Sequence, residues 1–116
     1  MTPHTLWIRY ARIWSADPVT RDAELEICLH DECSYCDVNG LLEGRAALSA
    51  YMGGFQDMAP GAHFHILSVA EHHGRCLCAW ELRDVNNSVL QTGRSFAVLH
   101  QDGRLQHITG FFDSAA

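Results

Sequence analysis

Asp37 is the residue of this chain whose type and setting best suit chemistry. It closes a short run, Cys33 to Val38, that is otherwise apolar or weakly polar. A carboxylate there, partly shielded from water, suits proton exchange with a bound molecule, the work of a general acid or base. It equally suits a structural use, because Asp often caps a turn and Asn39-Gly40 follows at once. Tyr10 offers a phenol that can donate to a developing oxyanion; as a core aromatic it would satisfy its hydroxyl locally. Arg94 is a permanent cation. Facing a pocket it would hold a carboxylate, phosphate or enolate, or pair with Asp37; facing solvent it would do neither. The sequence carries no G-x-S-x-G elbow, no P-loop and no H-E-x-x-H zinc motif.

Cysteines and histidines raise the question of metal. The five cysteines are Cys28, Cys33, Cys36, Cys76 and Cys78, an odd number that favours free thiols. Cys76 and Cys78 share one face of a strand, whereas Cys33 and Cys36, three apart, point to opposite faces. That set does not close a tetrahedral zinc site. His63 and His65 share a strand face opposite Phe64 and Ile66, and His72 and His73 are adjacent. Such a group suits adventitious metal rather than a catalytic ion. The expectation is a protein with no resident metal and no cofactor.

The elements that must position these residues read as helices first and strands after. Leu6, Tyr10, Ile13 and Trp14, at spacings of three and four, predict a helix from Thr5 to about Ser15. Asp17-Pro18 breaks it. Pro18 and Thr20 open a second helix, with Ala23, Ile27 and Cys28 facing inward and Asp22, Glu24 and Glu26 outward. Cys33 to Val38 predicts a short strand. Gly44 precedes a third helix, Arg45 to about Phe55, striped with Ala47, Leu48, Tyr51, Met52 and Phe55. Four strands follow, His63 to Ala70, Arg75 to Arg83, Val89 to Leu99 and Arg104 to Phe112, parted by turns at His73-Gly74, Asn86-Asn87-Ser88 and Gln101-Asp102-Gly103. Helices followed by a meander of long strands predict an α+β fold rather than a parallel α/β one.

Bulk properties exclude several classes. A chain of 116 residues, 47% hydrophobic and 19% charged, suits one folded domain spanning 1–116. Its formal charge of −6 repels phosphate backbones, so nucleic acid is not an expected partner. No apolar run reaches the ~18 residues of a membrane span, and no basic cluster suits an anionic membrane surface. The first residues lack the pattern of a signal peptide, which predicts a cytoplasmic protein.

Landmarks in order along nearly the whole chain carry a resemblance. They are Tyr35-Cys36-Asp37 followed by Gly44-Arg45-Ala46-Ala47-Leu48, then Pro60-Gly61-Ala62-His63-Phe64, then His73-Gly74 with Ala79-Trp80-Glu81-Leu82. Gly93-Arg94-Ser95-Phe96, Asp102-Gly103-Arg104-Leu105 and Ile108-Thr109-Gly110-Phe111-Phe112-Asp113 complete the series. The sequence resembles the SnoaL-like branch of the nuclear transport factor 2-like superfamily. That resemblance implies three helices on a strongly curved, mostly antiparallel sheet, a cone enclosing one small-molecule pocket, and a homodimer through the outer sheet face. It places Asp37 at the acid or base of ketosteroid isomerases and polyketide cyclases, and Tyr10 at a helix position whose Tyr donates to substrate oxygen. Arg94 falls where the isomerases carry a protonated Asp, a substitution at odds with steroid isomerisation. Trp14, Tyr51, Met52, Trp80, Phe96, Ile108 and Phe112 are expected as pocket wall and core. Two functions follow from these residues. One is a cofactor-independent isomerase, cyclase or hydrolase acting on a small apolar or carbonyl-bearing substrate through Asp37, Tyr10 and Arg94. The alternative is a non-catalytic ligand-binding or dimerisation module. Convergence of Asp37, Tyr10 and Arg94 on one cavity separates them.

Overall fold

The computed structural model describes residues 1–114. Helix α1 spans Pro3–Ile13, starting two residues earlier than periodicity predicts, because Thr2 caps it by accepting from the Thr5 amide and Pro3 takes the first turn. The Asp17-Pro18 break starts the second helix in the same way. Asp17 accepts the Thr20 amide at 2.9 Å at the head of α2, Pro18–Cys28.

Helix α2 faces its neighbours differently from the expected stripe. Arg21, Leu25 and Cys28 are buried, while Ala23 and Ile27 are exposed. The Arg21 guanidinium lies against Gly53, where a side chain would crowd it, so the inward face is set by a cation fitting beside a glycine. The helix runs directly into strand β1, Leu29–Asp37, which is four residues longer at its start than expected. Arg104 Nη1 donates to the Glu26 carbonyl at 3.0 Å and to the Leu29 carbonyl at 3.3 Å, and Arg45 Nη1 also reaches Leu29. Cations thus satisfy carbonyls at the end of α2 that the helix leaves unpaired.

A tight turn at Asn39 leads to a short strand, β2, Gly40–Glu43, and then to α3, Arg45–Met58, which outruns its predicted end by a turn. Strands β3 (His63–His72), β4 (Arg75–Arg83), β5 (Val89–Leu99) and β6 (Leu105–Phe112) form the expected meander. The six strands make one sheet in the order β2-β1-β6-β5-β4-β3, antiparallel throughout except for the parallel pairing of β1 with β6. Three helices on a mixed, mostly antiparallel sheet confirm the α+β expectation. Register shifts fall between Leu29 and Ser34, at Leu67, and near the end of β5, and bulges of this kind bend the strands they interrupt. The helices fill one side of the sheet: α1 and α2 pack on each other and on the inner face, and Trp7, Ile13, Leu25, Leu29, Leu48 and Leu105 close the core there. No helix among the described residues is long and apolar enough to cross a membrane.

Candidate functional site

Between the helices and the inner face of the sheet lies a cavity of about 750 Å³, a size that suits a small molecule. Aromatic rings form most of its wall. Trp14, which caps the end of α1, is ringed by Tyr35, Tyr51, Phe55 and Phe64 at centroid distances of 5.4, 6.1, 5.5 and 5.5 Å, three of them edge-on. Phe64 meets Trp80 edge-on at 5.2 Å, and Trp80 meets Phe112 at 5.9 Å. Edge-to-face contacts of this kind hold rings at fixed angles, so the wall keeps its shape.

Two small residues of β5 make room for the Trp80 indole. A Cβ at Gly93 would collide with the Trp80 ring and with the Phe111 carbonyl, so only glycine fits beneath that indole. Two residues on, the Ser95 hydroxyl accepts the Trp80 Nε1 hydrogen at 3.0 Å. The ring therefore has one orientation, flat across β5 with its polar edge satisfied.

Asp37 is the only charged side chain among the described residues that line the cavity. The Tyr35 hydroxyl donates to its Oδ2 at 2.8 Å, and the Tyr51 hydroxyl donates across both oxygens at 2.9 Å. The Asn39 amide donates to Oδ1 at 2.8 Å. The turn-capping use and the cavity-facing use of Asp37 are thus both realised, by different edges of one carboxylate. Tyr35 shares its face because it lies two residues earlier on β1. Tyr51 arrives from α3, where Tyr51, Gly54, Phe55 and Met58 turn one stripe to the cavity.

All three phenols are held in the neutral form. Burial, and then the bond to Asp37, push the Tyr51 hydroxyl up to about 12. Burial, with the neighbouring Tyr10 and Asp37, raises Tyr35 further, and burial raises Tyr10 as well. Tyr10 lines the same cavity, 4% exposed, and its hydroxyl has no hydrogen-bond partner among the described residues. Buried hydroxyls are normally paired, so an unspent donor in a cavity wall is a place for a ligand acceptor.

The structure brings Asp37 and Tyr10 together and sends Arg94 elsewhere. Arg94 is on the outer face of β5, its side chain 64% exposed and 3.8 Å from the Asp113 carboxylate. Strand alternation is the reason: Gly93, Ser95 and Ala97 point inward, so Arg94 and Phe96 point out. Three-residue convergence therefore fails, which counts against an enzyme built on all three residues; only the Asp37 and Tyr10 pair shares the cavity, and Ser95 takes the inward place assigned to Arg94. Phe96, expected in the wall, is 43% exposed on that outer face. Met52 and Ile108 are fully buried but belong to the core rather than to the cavity lining, Met52 because it is rotated about 100° around α3 from Tyr51. Trp14, Tyr51, Trp80 and Phe112 line the cavity as expected. Sequence reading missed Tyr35 and Ser95 as site residues. The signal for Tyr35 was its two-residue spacing from Asp37; for Ser95 it was the run of small side chains at 93, 95 and 97, which fits beneath a large indole.

No sequence-family model and no curated protein matches the chain. Solved structures do. A SnoaL-like family protein from Agrobacterium tumefaciens, designated an isomerase, matches with a TM-score of 0.88 at 20% identity, covering 95% of this chain and 96% of that one. A nuclear transport factor 2-like protein from Exiguobacterium matches at 0.76 and 16% identity over 95% of this chain and 99% of that one. A protein of ketosteroid isomerase-like fold from Catenulispora acidiphila, solved with trimethylamine, matches at 0.76 and 12% identity over 97% of this chain and 88% of that one. The fold is that of the nuclear transport factor 2-like proteins, SnoaL-like and ketosteroid isomerase-like structures included. Fold alone does not carry an activity.

Proposed function

We propose that the chain is a cofactor-independent enzyme of the isomerase, cyclase or hydrolase type, acting by acid–base chemistry on a small apolar molecule that bears a carbonyl. The observation that carries this reading is the pairing, in one aromatic cavity, of a triply hydrogen-bonded carboxylate with a buried phenol that has no hydrogen-bond partner among the described residues.

The roles follow from the donors and acceptors. An ionised carboxylate offers about four lone-pair sites. Tyr35, Tyr51 and the Asn39 amide engage the group from three directions, fixing its orientation and leaving an acceptor position for a substrate proton. Asp37 takes the proton from carbon next to the carbonyl and returns it at another position. The Tyr10 hydroxyl donates to the carbonyl oxygen as it gains charge; being raised by burial, it stays protonated to do so. A donor already buried before the reaction needs no reorganisation at the moment charge develops. With Arg94 outside, no cation among the described residues lines the cavity, so an anionic substrate has no counter-charge there. A neutral molecule fits, and so does an alkylammonium group, which an aromatic wall with one carboxylate receives well. The trimethylamine in the Catenulispora structure is in keeping with that second class of ligand.

The chain acts in this reading as a cytoplasmic homodimer. Leu77, Phe96 and Phe111 lie together on the outer sheet face at 50%, 43% and 63% exposure, with Leu77 opposite Phe96 in register. Exposed apolar side chains grouped on an open sheet face support an interface there.

The experiment is α-proton exchange in heavy water, followed by NMR, on a panel of small apolar ketones first shown to bind by ligand-observed NMR. The wild type exchanges the α-protons of a bound ketone faster than buffer does; Asp37→Asn binds it and does not exchange. Exchange in Asp37→Asn equal to wild type removes Asp37 from the chemistry. Tight binding with no exchange in either protein leaves the alternative, a non-catalytic ligand-binding module. The sequence alone predicts a nearly unchanged melting temperature for Asp37→Asn. The structure revises this to a loss of about 1–3 kcal/mol, because an amide cannot accept from all three donors.

A further inference from the structure

We propose that His30, His100 and Asp102 form a binding site for a divalent transition-metal ion at the end of the sheet, outside the cavity. His30 is the second residue of β1, His100 follows the last residue of β5, and Asp102 sits in the turn before β6. Strand β6 lies between the other two, with Leu105 in register with Leu29 on one side and with Leu99 on the other. The residues after Leu29 and Leu99 are thereby brought together at one edge. The two imidazoles stack, with centroids 3.9 Å apart and planes 21° from parallel. One ligand atom from each of the three residues lies within 4.8 Å of the others.

Around an ion bound at 2.0–2.1 Å, tetrahedral donor atoms stand about 3.3 Å apart. The in-plane lone pairs of the stacked rings run side by side, so binding asks one imidazole to turn out of the stack as well as the donor atoms to close by at most about 1.5 Å. The scaffold beneath is rigid, since Leu29 and Leu105 are fully buried. Asp102 is held by the Arg104 amide and Nε, both at 2.9 Å, and Arg104 is itself anchored on α2. As the rings stand, Glu32 N donates to His30 Nδ1 at 3.1 Å and Asp102 N to His100 Nδ1 at 3.2 Å, which puts each ring hydrogen on Nε2; an ion on Nε2 therefore moves that hydrogen to Nδ1 and displaces both amides. Asp31 Oδ1 is 3.1 Å from the same His30 Nδ1 and would accept the hydrogen moved there, the carboxylate partner that metal-bound imidazoles commonly have. Arg104 already pairs with Asp102, Nη2 to Oδ2 at 2.8 Å, so an ion there competes with the guanidinium for that carboxylate, and Asp31 supplies the further negative charge. Two nitrogens and one oxygen select zinc, cobalt, nickel or copper over calcium or magnesium.

The probe is Co²⁺ added to the full chain after chelator treatment, read by visible absorption and by paramagnetic broadening of backbone amide signals. One ion per chain is expected, with no thiolate charge-transfer band. Amides of residues 30–32 and 100–104 broaden first. His100→Gln and Asp102→Asn each weaken binding by at least about tenfold. His72→Gln leaves it unchanged; this control removes the other adjacent pair of imidazoles, whose Nδ1 atoms are 3.2 Å apart. Broadening that starts at residues 72–74, a thiolate band, or an affinity unchanged in His100→Gln overturns the site. The broadening pattern needs no variant, so it decides the question even if a substitution unfolds the chain.

Discussion

The sequence contains three tyrosines, and the structure puts all three in one cavity wall, so an alkaline titration reads the site with no surface background. An unperturbed phenol titrates near 10 and is about 90% ionised at pH 11. Tyr51, pushed up to about 12, would be only about 10% ionised there. Tyr10 and Tyr35 are raised too, so they contribute less still. The folded chain at pH 11 should therefore show about 0.1 equivalent of tyrosinate by ultraviolet absorbance, against about 2.7 for the same chain in denaturant. A raised phenol adds stability that is fully present below the unfolded value near 10 and is lost as pH climbs through the folded value. For Tyr51 that window is about 10 to 12. Tyrosinate should then appear in one cooperative step, together with loss of the far-ultraviolet circular dichroism of the helices. One full equivalent titrating near 10 in a chain that keeps its helical signal would refute the cavity geometry, because it would mean a tyrosine standing in water.

Two further substitutions test the wall and the outer face. Gly93→Ala forces the Trp80 ring and the Phe111 carbonyl apart and should cost about 1–3 kcal/mol in urea unfolding; a neutral result would show that the indole does not lie across β5. Phe96→Asp places a charge in the proposed dimer face and should convert a dimer to a monomer by sedimentation velocity while leaving ketone binding intact, since Phe96 is not part of the cavity lining. A wild-type chain that sediments as a monomer sinks the dimer directly.

The fold was largely legible because its signals are local. Alternation in Arg75 to Arg83 and Val89 to Leu99 marked strands whose bounds the structure reproduces. The Asp17-Pro18 pair marked a boundary because a capping side chain and a fixed backbone angle act there without help from distant residues. The start of β1 was missed for the opposite reason. Leu29 to Glu32 is held in the sheet by pairing with β6 and by Arg45 and Arg104 on its carbonyls, contacts with residues 16 and more than 70 positions away. The same divide runs through the site. Asp37 could be picked out from its neighbours in sequence. Arg94 could not be placed, because a strand's faces are fixed by what lies opposite, and a slip of one residue exchanges them. The pairing of Trp80 with Gly93 decides that parity, and it is a contact between strands. The metal ligands were invisible for the same reason: His30 and His100 are 70 residues apart, and only β6 between them brings the rings into contact.

Placing Arg94 outside changes the chemistry more than it changes the geometry. With an inward arginine, Asp37 would face a permanent cation, and the pair would occupy each other. With Arg94 on the outer face, Asp37 is held instead by neutral donors, two phenols and an amide, which orient the carboxylate without neutralising it. Each phenol has lost much of its exposure to water, so each stays a donor across the range in which an enzyme works. A carboxylate oriented in this way keeps an acceptor position turned to the cavity, beside the aromatic ring around Trp14. The unpaired Tyr10 hydroxyl then becomes the specificity element. A ligand without an acceptor leaves that donor buried and unsatisfied, at a cost of about 1–3 kcal/mol, whereas a carbonyl oxygen recovers it. In the proposed reading the cavity selects by shape through its rings and by polarity through one hydroxyl, and proton transfer falls to Asp37, the one charged side chain among the described residues on its wall.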